Sequence, residues 1–99
     1  MNMQQMIIQA QKMQREMQKK QKELEEKEFT ISKGGAVTVV VKGDKSIKSI
    51  NIDKDALDPE NKEMVEELIA LAINEAIEQI RAKEEEISSS VSGGMGGLF

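Results

Sequence analysis

Ninety-nine residues with 38% apolar composition fit one small domain. The chain has no Cys, His, Trp or Tyr, and only Phe29 and Phe99 are aromatic; that removes disulfides, thiolate chemistry, and the commonest general base and metal ligand. Fourteen bases against 18 acids give a net charge of −4, so the chain is no simple polycation, and no enzyme, cofactor or small-molecule substrate is expected.

No stretch approaches the roughly 18 consecutive apolar residues of a membrane span, so no membrane partner is expected. Residues 1–11 carry neither the charge nor the small-residue cleavage site of a signal peptide, and a cytoplasmic protein is expected.

Residues 2–28 read as one long helix, rich in Gln, Met, Lys and Glu and free of Gly and Pro. Met3, Ala10, Met17 and Leu24 fall on one heptad position and Met6 and Met13 on the other, which Lys20 interrupts. Alternating spacings of three and four are a coiled-coil seam. At 1.5 Å per residue the rod would be roughly 40 Å long, so part of it should project from a domain this small or pair with another helix.

At Phe29 the period changes to two, and residues 29–52 read as three strands in an antiparallel meander. Phe29 and Ile31 alternate with polar residues, and Gly34-Gly35 suits a tight two-residue turn with positive φ. Val37, Val39 and Val41 form the second strand's inner face, and Lys42-Gly43-Asp44-Lys45 makes the next turn. Ile50 and Ile52 share a face of the third strand with Lys48 opposite, whereas Ile47 has the wrong parity, which predicts a bulge or a strand end beside it.

After a polar connection, Asp58 reads as a helix N-cap with Pro59 at the first helical position, opening a second helix over residues 59–87. Its apolar residues, among them Met64, Val65 and Leu71, cover well over half the circumference. One sheet face needs a narrower stripe. The surplus predicts a second buried surface, most simply a partner subunit, with Leu68, Ile69, Ile73, Ile77 and Ile80 as core or dimer residues. Residues 88–99, rich in Ser and Gly and ending in Leu98 and Phe99, read as a flexible tail.

Asp53, Asp55, Asp58 and Glu60 superficially suggest a calcium loop, but the sharp-turn glycine is missing and Leu57 stands where a carboxylate belongs. Capping and a solvated turn account for them, and no metal is expected. The glycines between positions 93 and 97 follow a helix and open none, so they are not a phosphate loop. The informative feature is a basic stripe. Lys12, Arg15, Lys19 and Lys22 recur at three and four along the first helix, away from the Met seam, and only Glu16 offsets the bases before position 23. Such a stripe suits phosphate contacts better than base readout, since Arg15 alone could make a bidentate guanine contact.

The run Gln9-Ala-Gln-Lys-Met-Gln-Arg-Glu-Met-Gln-Lys-Lys-Gln-Lys-Glu-Leu24 resembles the opening helix of the bacterial YbaB/EbfC nucleoid-associated family. The resemblance continues through Gly34-Gly-Ala-Val-Thr-Val-Val-Val-Lys-Gly43, Ile50-Asn-Ile-Asp53 and Glu66-Glu-Leu-Ile-Ala-Leu-Ala-Ile-Asn-Glu-Ala76, although the glycine-rich opening of many members is absent. It implies an α+β fold of order α-β-β-β-α, with a three-stranded antiparallel sheet and two long helices, in a tweezer-like homodimer. It also implies a cytoplasmic, nucleoid-located protein that binds double-stranded DNA with little sequence preference and organises or compacts the nucleoid. The family's DNA contacts would map onto Lys12, Arg15, Lys19 and Lys22. A rival reading is a protein-interaction or chaperone-like adaptor using the Met seam, with the basic stripe merely solvated.

Overall fold

The computed structural model describes residues 2–96, with side chains to residue 89. Chain order is α1 (Met3–Glu26), β1 (Glu28–Lys33), β2 (Val37–Lys42), β3 (Ile47–Ile52), 3-10 turns at Lys54–Ala56 and Pro59–Asn61, and α2 (Lys62–Gly96). This is the expected α+β order, with one antiparallel sheet in strand order β1-β2-β3. The radius of gyration is 19.7 Å, against about 13 Å for a compact domain of 100 residues. The excess comes from helices that outrun the sheet.

Helix α1 starts without glycines because Asn2 caps it: its side-chain oxygen accepts from the Gln5 amide at 2.8 Å. Leu24 is the one buried residue in α1. Met13 and Met17 are half-buried, and every described residue before Met13 is exposed. The helix is therefore anchored at its C-terminal end and projects at the other.

In the sheet, Phe29, Ile31, Val37, Val39 and Val41 point inward and are buried. Helix α2 packs on β1 and β2, and the small residues Ala72 and Ala76, both fully buried with Ile80, let it lie close to the valines. The first turn is one residue longer than expected. Lys33 pairs with Val37, and Gly34 and Gly35 take φ of +60° and +65°. The third connecting residue, Ala36, folds inward: its amide donates to the Lys33 carbonyl and its carbonyl accepts from Asp53.

The register of β3 shifts so that Val40 faces Ser49 while Val41 faces Ile47. Lys48 is the extra residue. Its bulge returns Ile47 to the same face as Ile50 and Ile52, which explains the parity read from the sequence. Lys48 turns to the outer face and pairs with Glu28. The β2–β3 turn is held by Asp44, whose carboxylate accepts from both the amide and the hydroxyl of Ser46. Those two bonds, the hydroxyl's first, hold the Asp44 carboxyl below its ordinary value.

The acidic connection is built from caps. Asp53 accepts from the Asp55 amide and Asp58 from the Glu60 amide, each at 2.9 Å. Pro59 opens a 3-10 turn rather than the helix itself, so α2 starts at Lys62. Nor does the helix end at Ile87. It continues to Gly96, since nothing between Ser88 and Gly96 removes a backbone donor and each added residue closes another hydrogen bond. The expected tail over residues 88–99 thus begins, in backbone terms, as helix; Leu98 and Phe99 lie outside the described residues.

Candidate nucleic-acid interface

Lys12, Arg15, Lys19 and Lys22 are all exposed on α1. Over ten residues at 1.5 Å each they form a line of about 15 Å, one cation per turn. At 100° per residue this line lies opposite the seam of Met3, Met6, Met13, Met17 and Leu24. Burying Leu24 against the body therefore turns the cations outward.

Ion pairing separates these four residues from five lysines of the body, although Lys42, Lys54 and Arg81 form no ion pair among the described residues either. On the body, Lys33 pairs with Glu75 at 3.1 Å and Lys45 with Glu84 at 3.2 Å. Lys48 pairs with Glu28, Lys62 with Glu66 and Lys83 with Glu86. Lys27 lies 5.5 Å from the Phe29 ring centre. Among the described residues, none of Lys12, Arg15, Lys19 and Lys22 forms an ion pair. Each such surface pair is worth little in stability, but it offsets charge locally, and the stripe keeps its charge. The uneven acids have the same effect on a larger scale. Residues 60–99 hold nine of the 18 carboxylates, whereas the first helix up to position 22 holds only Glu16.

The other sequence candidates sit elsewhere. Ile80 is fully buried, Leu68, Ile69 and Ile73 are half-buried and packed against the core, and Ile77 is half-buried. The apolar residues left exposed on the body are Met64 and Leu71 of α2, Leu57, and Ile47 and Ile50 of β3. Leu57 also lines an open groove with Ile52, Ala56, Val65 and Ile69. Helix periodicity could not choose among the α2 residues because apolar side chains nearly encircle the helix. The roles of three further residues escaped the sequence reading. Gly43 packs against the end of α1, its amide donating to the Lys27 carbonyl at 2.8 Å. Ile7 and Ile8 stand exposed at the α1 tip, off the heptad. Among the described residues no cluster of acidic residues is arranged to hold a metal, and no helix is long and apolar enough to cross a membrane.

A small α+β body carrying a projecting helix with an unneutralised cationic face presents a surface that favours polyanions. The chain belongs to the YbaB/EbfC DNA-binding family, whose model matches residues 1–95. It is 50% identical to a nucleoid-associated protein of Clostridium botulinum (strain Eklund 17B / Type B), over 99% of this chain and 88% of the relative. It is 44% identical to one of Mycoplasmopsis pulmonis (strain UAB CTIP), over 95% and 93%. A nucleoid-associated protein of Clostridium novyi (strain NT) is 48% identical, over 99% and 84%.

Proposed function

We propose that this protein is a nucleoid-associated protein of the cytoplasm that binds double-stranded DNA through its phosphates, with little sequence preference. In this reading it organises or compacts the nucleoid and thereby influences gene expression. One observation carries it: four cations, one per turn of the projecting helix, lack carboxylate partners among the described residues, whereas five body lysines are paired and the unpaired Lys42, Lys54 and Arg81 stand on three different elements. A cation already paired must break that pair to neutralise a phosphate. Those on α1 need not.

The working unit is a homodimer. Ile47, Ile50, Leu57 and Met64 are exposed apolar residues of the body, and Leu57 lines an open groove with Ile52, Val65 and Ile69; large apolar surfaces of this kind are rare on monomers. A second copy covering this face would give the dimer eight stripe cations. Ile50→Lys should accordingly shift sedimentation from dimer to monomer with the helical signal retained, because Ile50 is 44% exposed and its loss opens no cavity in the monomer. A variant that still sediments as a dimer would move the interface elsewhere.

Salt titration on two unrelated duplexes tests the DNA reading. If between half and all eight cations engage phosphates, log affinity should fall against log salt with a slope of about −4 to −7, alike on both sequences. A binding protein that reads bases would instead separate the two duplexes. An adaptor that merely solvates its stripe would show no measurable DNA affinity at low salt.

A further inference from the structure

The projecting end of α1 differs from the rest of the rod. Residues 2–11 carry no charged side chain, yet Met3, Met6, Ile7 and Ile8 are 77%, 57%, 52% and 58% exposed. These four form the largest run of exposed apolar side chains in α1, and they lie at the end remote from the core. Exposed apolar surface of this kind marks an interaction site more often than a solvated helix end.

We propose that the uncharged tip of α1 docks antiparallel onto the same segment of a second copy of this chain. Met3, Met6 and Ala10 continue the three-and-four spacing of Met13, Met17 and Leu24. A helix with that spacing interlocks with another of the same spacing. Charge selects the orientation. A parallel pairing along the rod would place the Lys20 residues, which interrupt the seam, in one interface. An antiparallel overlap of residues 3–10 leaves Lys20 and the Lys12–Lys22 stripe outside the contact, so no charge is desolvated and no like charges are opposed. DNA is a poorer occupant, because ten successive uncharged residues offer no cation to the backbone.

The overlap spans only about 12 Å, too little for the roughly 1,200 Å² of a stable interface. A single tip pair is therefore weak, and many pairs acting together are strong. The consequence for DNA, which rests on the function proposed above, is bridging. Proteins bound along two duplexes would cross-link them through their tips. The tip contact itself does not depend on DNA and is tested without it.

The full-length chain and a Met3→Gln/Met6→Gln/Ile7→Gln variant should be compared by sedimentation equilibrium in the absence of DNA. Glutamine keeps the segment uncharged and helical, so circular dichroism should not change. Beyond the dimer formed through the body, the parent chain should show a larger species populated with rising concentration. In the variant that association should weaken by at least about tenfold. Equal association in the two proteins, or none in the parent, would overturn the proposal. Because the chain has no cysteine, single-cysteine variants give an independent check that survives a folding defect in the triple variant. Met6→Cys should cross-link quickly under a mild oxidant and Ile8→Cys, across the helix, much more slowly; equal rates count against the contact. A triple variant that keeps its association but loses DNA affinity would place the tip on the duplex instead and sink the self-pairing.

Discussion

Gly43→Ala should destabilise the protein more than a glycine-to-alanine change at either glycine of the first turn. A Cβ at position 43 would overlap the carbonyl oxygen and carbon of Leu24 and lie 3.2 Å from the Glu25 Cα. These are backbone atoms at the end of α1, so no side chain can swing aside. Gly35 is the contrast. A Cβ there meets nothing within 4 Å, and the penalty comes only from its φ of +65°, about 1 kcal/mol. At Gly43 the end of α1 must back away, stretching the Gly43–Lys27 hydrogen bond and pulling Leu24 from its buried seat. Overpacking of this kind costs about 3 kcal/mol, a large part of the roughly 5–15 kcal/mol that holds a domain of this size together. Urea denaturation measures the difference directly. A loss of less than about 1 kcal/mol would mean that α1 can shift freely on the hairpin, and the rod's fixed projection would go with it.

The sheet was legible because a strand face repeats every two residues. Phe29, Ile31, Val37, Val39 and Val41 alternate in sequence and are the residues buried, and the misplaced Ile47 marked the bulge at Val40/Val41. Helix α2 was legible as a helix but not in its orientation. With apolar residues on most of its surface, sequence could not tell buried Ala72 and Ala76 from exposed Leu71. The end of α2 was hidden for a related reason. Serine and glycine weaken a helix without forbidding it, so the change of composition after Ile87 is a weak stop that the helix runs through. Gly43 reads locally only as a turn residue, and its close approach to α1 could not be found because its neighbour Leu24 is nineteen residues away in sequence. The basic stripe showed in its spacing, but not the feature that distinguishes it. Which lysines have carboxylate partners depends on pairs such as Lys33–Glu75 and Lys45–Glu84, each between residues about forty apart.

The largest effect on DNA binding is expected from reversing two of the unpaired cations, Lys12→Glu with Lys19→Glu. At about 0.1 M salt each phosphate neutralised contributes close to one log unit of affinity, from the slope of −0.9 per phosphate. If all eight cations engage, the double variant leaves four phosphates of a dimer site without a cation and affinity should drop by more than about a thousandfold; if half engage, by about fiftyfold, in either case before repulsion is counted. The remaining salt dependence should flatten by about 0.9 for each phosphate no longer neutralised, whatever the duplex sequence. Folding should survive. Both positions are exposed and lie off the seam that carries Leu24, and Glu matches Lys in helix propensity. Carboxylates at positions 12 and 19 would stand three or four residues from Glu16 and Glu23, making three like-charge pairs at up to about 0.5 kcal/mol each. A gel shift beside a thermal melt decides the matter. Undiminished binding by a folded double variant would clear α1, and the DNA site would pass to Lys42, Lys45 and Lys48 at the sheet. Lys45 and Lys48 would first have to leave Glu84 and Glu28, so binding there should strengthen when those two carboxylates are neutralised as Glu84→Gln and Glu28→Gln. If α1 is the site, the same two changes should leave the salt slope unaltered.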